Sequence, residues 1–418
     1  MNSTASLTAE KRKHAHPIVF MFLMLPFGIT SGYATVTLAY LFKQIGVKME
    51  DIAILGIAAT VLGIVKFLWA PLVDGFLTLK KWALFSGLFT AVGMFAMGVL
   101  PIKESSLIPL VGIILVGNIG VSFLGTAVGG LAAHDVPEEL KGRASGYYNA
   151  GNLGGMGLGG GAGLWLAEQT HSNMIAAGIL AIVCALCSFG LFFIHEKPST
   201  IQHTEVGKTL KHLFSDIWGT LGTRMGILAL VLCFLPLGTG ALQNLWAGAA
   251  ASWNASSTTV EFVTGIFAGL ITAGGCLLGG WICDRVDRKM AYIAFGLMQA
   301  LCAVAMAYFP HTENMFIIWT SLYAFALGLS YAAFSAFVFE VIGRGAAGTK
   351  YTVYASLSNL PIVYMTAIEG FVFDSKGKNE IFHGAKGMLN IEALFAIVGI
   401  IIFLALLRYA RVPKTIAN

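Results

Sequence analysis

Charged side chains are scarce in the apolar stretches of this sequence, and Lys66, Glu369 and Glu392 stand inside them or at their ends. An unpaired charge in hydrocarbon is costly, so such residues usually face water, a partner or a ligand. Lys66 lies eight residues before Asp74, about 12 Å along a helix, and a lysine stem reaches only about half as far. We therefore expect Lys66 to face a binding cavity. The alternative is a buried ion pair, but the first half of the chain has no carboxylate at matching depth.

The other titratable residues suggest local or structural roles. Glu369 and Glu392 could be interfacial, and Glu340 precedes Arg344 by four residues, a spacing that favours an ion pair on one helix. The six cysteines show no metal or redox spacing, and there is no phosphate loop, zinc motif or nucleophile elbow. We predict no catalytic residues, no metal and no cofactor. One enzyme alternative is an acyltransferase, for which only the His134-Asp135 pair is available.

The composition explains where these charges must lie. Of the 418 residues, 57% are hydrophobic and 11% are charged, whereas soluble domains average about 25% charged residues. A bilayer can cover that much apolar surface, but a single soluble core cannot. The net charge of +5 is concentrated in short clusters between apolar runs, so it indicates membrane topology and not a nucleic-acid partner.

Apolar runs long enough to cross a membrane occur twelve times, since a crossing needs about 20 residues. They are Pro17–Phe42, Ile52–Val73, Trp82–Pro101, Leu107–Ala133, Ala144–Ala167, Met174–Ile194, Met225–Trp253, Phe262–Cys283, Met290–Phe309, Met315–Phe339, Tyr351–Phe373 and Leu389–Leu407. We number them spans 1 to 12. An even number places both termini on one side.

Lysine and arginine in the connections predict the orientation. Nineteen of the 26 lie on the side of the termini and six on the opposite side, which predicts that both termini are cytoplasmic. We call these the basic side and the opposite side. The protein is expected to be a multi-pass protein of the inner membrane.

The chain divides at its longest polar connection. We predict a cytoplasmic segment at residues 1–16, a six-helix bundle at 17–194, a linker at 195–224, a second bundle at 225–409 and a tail at 410–418. In the linker, apolar residues from Leu210 to Leu221 repeat at helical spacing, which indicates an amphipathic helix on the membrane surface, either as a tether or as a passive anchor.

The two halves repeat each other. Leu25–Gly28 of span 1 matches Leu235–Gly238 of span 7, and Asp74 matches Asp284, both at an offset of 210. A similar shift relates spans 5 and 11. Because six helices separate the copies, the second half has the same membrane orientation as the first. We expect all-α architecture, with two pseudo-symmetric bundles about an axis along the membrane normal.

The connection after span 8 carries the most specific motif, Gly280 followed by Asp284, Arg285, Arg288 and Lys289. It resembles the signature of the major facilitator superfamily, except that Asp287 replaces a glycine. The resemblance implies twelve helices, alternating access and a gate in which Asp74, Asp284, Arg285 and Arg288 brace the cytoplasmic ends of the bundles. An aspartate aimed at a helix N-terminus would also be stabilised by the helix dipole. The alternative is a set of charges that only fixes topology.

Glycines at four-residue spacing mark spans 5 and 8. Such ladders allow close backbone approach, and in the family fold spans 5 and 8 meet between the halves. We therefore predict packing between the bundles; static packing is the alternative. The glycines are Gly151, Gly155, Gly159, Gly275 and Gly279.

Uncharged polar residues occur in the spans that, by the same resemblance, line the central cavity. Together with Lys66 they predict a cavity for a polar solute, although each one could instead bond a neighbouring helix. They are Thr30, Tyr33, Asn118, Asn152, Gln243, Asn244, Tyr323, Tyr331 and Asn359.

Within the superfamily, Leu25–Gly28 and Lys66–Asp74 resemble the AmpG-type branch of muropeptide, acetyl-coenzyme A and siderophore-uptake permeases. Muropeptide permeases usually have two additional helices. The resemblance implies a proton-driven importer of a medium-sized polar or anionic solute, acting as a monomer in the bilayer. A multidrug or metabolite exporter of the same superfamily is the alternative within transport.

Overall fold

The computed structural model describes residues 15–196, 215–342, 346–375 and 380–410, and this part of the chain is helical without strands. Spans 1 to 6 are Ile18–Gln44, Met49–Val65 with Lys66–Leu68 and Ala70–Phe76, Leu79–Val99, Leu107–Asp135, Lys141–Thr170 and Asn173–Phe193. Spans 7 to 12 are Arg224–Leu232 with Ala241–Asn244, Trp246–Ala249 and Ala250–Trp253, Ser257–Cys283, Arg288–Tyr308, Glu313–Ile342, Ala347–Leu357 with Leu360–Asp374, and Gly384–Ala410.

Nine of the described helices are long and apolar enough to cross a membrane, and span 2, bent by 55° after Leu68, makes a tenth. The other two are special cases. Span 5 is a 30-residue helix, about 45 Å long, in which many glycines replace larger apolar residues. Span 7 is interrupted. With these two, the twelve predicted spans are all accounted for.

The helices form two bundles. In the first, span 5 packs on span 1 and span 3 packs on spans 4 and 6. In the second, span 10 packs on spans 8 and 9, and span 9 packs on span 12. The bundles meet where span 5 contacts spans 8 and 10, and where span 4 contacts span 11. Large apolar side chains such as Phe85, Ile182 and Phe192 point outward, as expected of a surface that faces lipid.

Span 7 departs from the symmetry of the repeat. Leu25–Gly28 is helical in span 1, whereas the matching Leu235–Gly238 is unwound, with Gly238 and Gly240 at φ +66° and +72°. Glycine adopts this conformation without a Cβ clash. The prediction of a continuous span 7 was therefore wrong.

Tyrosines satisfy the carbonyl groups that this break releases. The Tyr292 hydroxyl donates to the Leu237 carbonyl, and the Tyr364 hydroxyl donates to the Phe234 carbonyl at 2.8 Å. An unwound segment is tolerated at membrane depth only when its polar groups are bonded by the protein or by water. Side chains of other helices in the second bundle therefore stabilise the break.

The described part of the linker is helical over residues 215–221, with Trp218 exposed. Asp216 forms an ion pair with Lys350 of span 11 at 2.8 Å, so this helix is attached to the second bundle. Linker residues 197–214, which include Leu210 and Leu213, lie outside the described residues.

Candidate functional site: the closed face between the bundles

Asp284 joins span 8 of the second bundle to span 5 of the first. Its carboxylate accepts from Arg143 Nε at 2.6 Å and from the Arg143 backbone N–H at 3.2 Å. The Asp284 side chain is 3% exposed and that of Arg143 is 41% exposed. Because glycines stand at Gly142 and Gly280, the two helices approach closely here: a Cβ at Gly280 would lie 2.5 Å from the Gly142 carbonyl oxygen.

Asp74 makes the pseudo-symmetric contact from the first bundle to the second. Its carboxylate accepts the backbone N–H groups of Thr349 at 2.6 Å and Gly348 at 3.3 Å, in the first turn of span 11. The first N–H groups of a helix have no partner within the helix, and the helix dipole favours an anion there. The buried Asp74 therefore binds the N-terminus of a helix in the other bundle.

Arg288 forms a third bridge on the same side. It pairs with Glu138, in the connection before span 5, and with Glu340 of span 10 at 2.9 Å. Partial burial alone would raise the pKa of Glu138, but its hydrogen bonds to Arg288 and Lys141 outweigh this and lower the pKa. Lys141 also donates to the Phe339 carbonyl at 2.7 Å. Residues at 138–143 are thus held by three elements of the second bundle.

The expected contacts of Arg285 and Arg344 are not found among the described residues. Arg285 donates to the Trp281 carbonyl and lies 3.7 Å from the Trp281 ring centroid. It packs on its own helix, and no ion pair of Arg285 is found among the described residues, so a bracing contact for it was a wrong expectation. Arg344, the expected partner of Glu340, lies outside the described residues; Glu340 contacts Arg288 and Lys289 instead.

Uncharged residues that the sequence analysis did not single out also connect the two bundles, farther from the basic side. Ser145 donates to the Ala332 carbonyl at 2.5 Å, and Asn149 Nδ2 donates to Ser335 Oγ at 3.0 Å. Thr352 and Thr126 share a hydrogen bond of 2.9 Å. The four-residue spacing of Ser145 and Asn149 was a readable signal of one polar helix face.

In the described part of the chain, every side-chain hydrogen bond or ion pair between the two bundles lies toward the basic side. They come from the basic-side ends of spans 2, 4, 5, 8, 9, 10 and 11 and from Glu138 in the connection before span 5. The bundles are therefore joined and closed on the basic side.

The glycine ladders have different partners from those predicted. A Cβ at Gly151, Gly155 or Gly159 would collide with span 1 of the same bundle, at the carbonyls of Met21, Leu25 and Ile29. The interdomain role predicted for these glycines was wrong, because four-residue spacing defines a face but not the helix it meets.

Gly275 and Gly279 likewise face span 10 of their own bundle, at Phe325 and Leu329. Contact between spans 5 and 8 uses other small residues. A Cβ at Gly154 would lie 3.1 Å from the Ala273 Cβ, and one at Gly269 would lie 2.9 Å from Gly157. These residues lie on a second face of each helix.

The predicted cavity residues of the first bundle are largely engaged in helix packing. Thr30 donates to the Pro26 and Phe27 carbonyls of its own helix. Tyr33 is fully buried and donates to Asn173 of span 6. Asn118 donates to the Ala58 carbonyl of span 2 at 2.9 Å. Asn152 is partly buried in span 5, and its carbonyl meets Gly28 of span 1.

The predicted residues of the second bundle lie around its broken helices. Asn244, in an exposed pair, donates to Thr366 of span 11 at 3.1 Å, and the partly buried Gln243 adjoins it. Asn359 stands at the interruption of span 11. Tyr323 is buried and bonded to Glu392.

Tyr331 is the predicted residue that lines a small cavity found here, with about 30 Å³ open to a water-sized molecule. This cavity lies between the unwound part of span 7, Tyr292, and the interruption of span 11. Ser330 also lines it, and its buried hydroxyl has no hydrogen-bond partner among the described residues. The cavity therefore places the Ser330 hydroxyl next to the unwound backbone of span 7.

Lys66 lies at the bend of span 2, in the short helical turn Lys66–Leu68. Its Nζ is 6.0 Å from the ring centroid of Phe27 in span 1, and the turn packs against the first half of span 11. No described carboxylate lies within 4.0 Å to form an ion pair with it. Lys66 is partly buried where the bundles meet; its contact with a solute stays a prediction.

Two bundles of membrane-length helices that are joined on one side fit a membrane transporter, and sequence comparison supports this class. The chain matches the sequence model of the Major Facilitator Superfamily over residues 18–366, and it belongs to that family. The predicted fold class is confirmed.

Individual relatives are distant. The chain is 23% identical to "Putative transporter AmpG 4" of Rickettsia conorii, over 87% of this chain and 92% of that protein. It is 22% identical to the "Anhydromuropeptide permease" of Escherichia coli K12, over 93% and 79%. The predicted resemblance to AmpG-type transporters is therefore confirmed.

Solved structures support the fold alone. The proton:fucose symporter FucP of E. coli aligns with a TM-score of 0.70 at 14% identity, covering 94% of this chain and 98% of that one. The proton:xylose symporter XylE aligns with a TM-score of 0.68 at 13% identity, covering 93% and 95%.

Proposed function

We propose that this transporter imports a medium-sized polar or anionic solute, of the muropeptide or siderophore class, across the cytoplasmic membrane by proton-driven alternating access. The observation that carries alternating access is the closure of the basic side by Asp74, Asp284 and Arg288, while the AmpG-type relatives support import and the solute class. The predicted cytoplasmic position of the basic side would make this the state that receives solute from outside.

The surroundings of Lys66 support an anionic solute. An ammonium group without a carboxylate partner, at the contact between bundles, would pair strongly with a carboxylate or phosphate in a site of low dielectric. Phe27 beside it offers an apolar surface for an acyl or sugar group. The name of the anhydromuropeptide permease points to the same chemistry in a relative.

Uptake by proteoliposomes tests the proposal. Purified protein would be supplied with a radiolabelled anhydromuropeptide, a ferric hydroxamate siderophore or a dipeptide, with and without an inward proton gradient. We expect accumulation of one of the first two, chemically unchanged, and loss of accumulation when an ionophore collapses the gradient.

Two results would contradict the proposal. Absence of uptake of all the probes, together with gradient-driven expulsion of a hydrophobic dye, would favour the exporter alternative. Uptake that ignores the proton gradient would remove proton coupling. Protein-free liposomes and the Asp284→Asn variant serve as controls.

A further inference from the structure

Two glutamates that the sequence placed near the ends of spans 11 and 12 are buried side by side. Glu369 is 0% exposed and Glu392 is 3% exposed, spans 11 and 12 pack on each other, and the two carboxyl groups are within interaction distance. Glu369 lies five residues before Asp374, about 8 Å from the end of span 11, and Glu392 lies about 12 Å inside span 12. Neither carboxyl group is therefore exposed at the protein surface, as an interfacial position would have suggested.

Neutral groups surround this pair. Tyr323 of span 10 donates to Glu392 Oε1 at 2.9 Å, and Trp246 of span 7 packs edge-on against Tyr323. Gln299 of span 9 lies beside Tyr323. Tyr364 of span 11 is the other titratable group nearby. Among the described residues, no lysine, arginine or histidine forms an ion pair with either glutamate.

Hydrogen bonding around the pair is incomplete. Apart from each other, both oxygens of Glu369 and Oε2 of Glu392 have no hydrogen-bond partner among the described residues, and the buried Gln299 amide reaches only the Tyr323 hydroxyl. Two adjacent carboxylates cannot both be ionised in such a site, because their repulsion adds to the loss of hydration. At least one proton must occupy the pair, while Gln299 offers a further donor and acceptor.

An exposed contact between spans 7 and 11 lies near the pair. Thr366 lies three residues before Glu369 on span 11, and its hydroxyl bonds to Asn244 in an exposed contact. Glu369 and Glu392 both lie in the half of the membrane away from the closed basic side. The pair is therefore nearer to the opposite side than to the closed basic side.

We propose that Glu369 and Glu392 form a shared proton-binding site through which an external proton controls the opening of the basic side. The inference deepens the proposed function, since it rests on proton-driven import and identifies the residues that carry the proton. Protonation would neutralise the pair, and release of the proton toward the cytoplasm would require the bundles to rearrange. Neither step needs a metal or a cofactor.

The first test asks whether the pair holds a proton and does not depend on solute. Infrared difference spectra of the reconstituted protein, recorded across a pH step, report protonated carboxyl groups. We expect a carboxyl band that shifts in D₂O and is lost in Glu369→Gln and in Glu392→Gln. The control is Glu168→Gln, an exposed carboxyl of span 5. A spectrum unchanged by both pair variants would overturn the proposal.

The second test asks whether that proton controls the bundles. Spin labels at Leu77→Cys and Val286→Cys, both exposed near the basic ends of the two bundles, would report their separation. One linked proton changes the open-to-closed ratio by at most about tenfold per pH unit. We expect such a change between about pH 5 and about pH 8 in the otherwise unaltered transporter, and a flat profile in Glu369→Gln.

The outcomes separate the two proposals. A separation of the bundles that still depends on pH in both Glu369→Gln and Glu392→Gln would refute the proton site, because the pair would then have only a structural role. Failure of every solute probe with a normal pH response would instead refute the proposed solute class. Tyr323→Phe, which removes the hydrogen bond to Glu392 but keeps the ring, should shift the midpoint of the pH profile and leave its amplitude.

Discussion

Replacing Asp284 with asparagine should weaken the closed basic side while leaving each bundle folded. The carboxylate accepts two hydrogen bonds from Arg143 and is nearly fully buried. Breaking a fully buried pair costs about 3–5 kcal/mol, but Arg143 is 41% exposed and solvent screens it. We therefore expect a loss of about 2 kcal/mol from the closed state relative to the open state. At 1.4 kcal/mol per decade, the open-to-closed ratio should rise about 30-fold.

Spin-label distances between positions 77 and 286 measure this ratio directly, in a background where the six buried cysteines are replaced. The matched control is Asp287→Asn. Asp287 lies three residues away, but it caps span 9 through the N–H groups of Lys289 and Met290 and bridges no bundles. A distance distribution in Asp284→Asn that equals the control would refute the gate. Loss of folded protein in Asp284→Asn alone would show that this contact supports the fold instead.

Three further predictions concern Gly280, Lys66 and Glu138. Gly280→Ala should open the basic side, because its Cβ would meet the Gly142 carbonyl of the other bundle, whereas Gly56→Ala, with nothing within 4 Å, should leave the label distances unchanged. Lys66→Ala should weaken uptake of an anionic probe about 10- to 100-fold, the loss of one charged hydrogen bond; an unaltered uptake affinity would exclude Lys66 from the binding site. Glu138 has a lowered pKa, so its bridge to Arg288 contributes stability above the usual glutamate value of about 4.3 and is lost only as pH falls through the lowered value. Glu138→Gln should therefore reduce closure equally at about pH 5 and about pH 8, and a pH-dependent effect in that range would contradict this assignment.

Local properties of the sequence were sufficient for the architecture. Hydropathy over about 20 residues sets where the chain crosses a membrane, and the repeat at an offset of 210 predicted two similar bundles. Asp74 and Asp284 could be recognised for the same reason: each stands at the basic end of a span, where a carboxylate can reach a helix N-terminus or an arginine. These features depend on residues that are close together in the sequence, so they can be predicted from the sequence alone.

Only the tertiary structure determined which faces meet. The spacing of Gly151, Gly155 and Gly159 indicated a small-residue face, but its partner, span 1, is more than 100 residues away in sequence. The break in span 7 likewise depends on Tyr292 and Tyr364, which supply hydrogen bonds from other helices.

Glu369 and Glu392 show most clearly what could not be predicted from the sequence. Each one alone resembles a carboxylate at a membrane interface, and their spacing of 23 residues carries no signal. Packing of spans 11 and 12 brings them together and excludes water, and the energy of a charge depends on what surrounds it. The sequence therefore determined the spans, their predicted orientation and the acidic motif, while the tertiary structure decided the partners, burial and hydration of the charged groups.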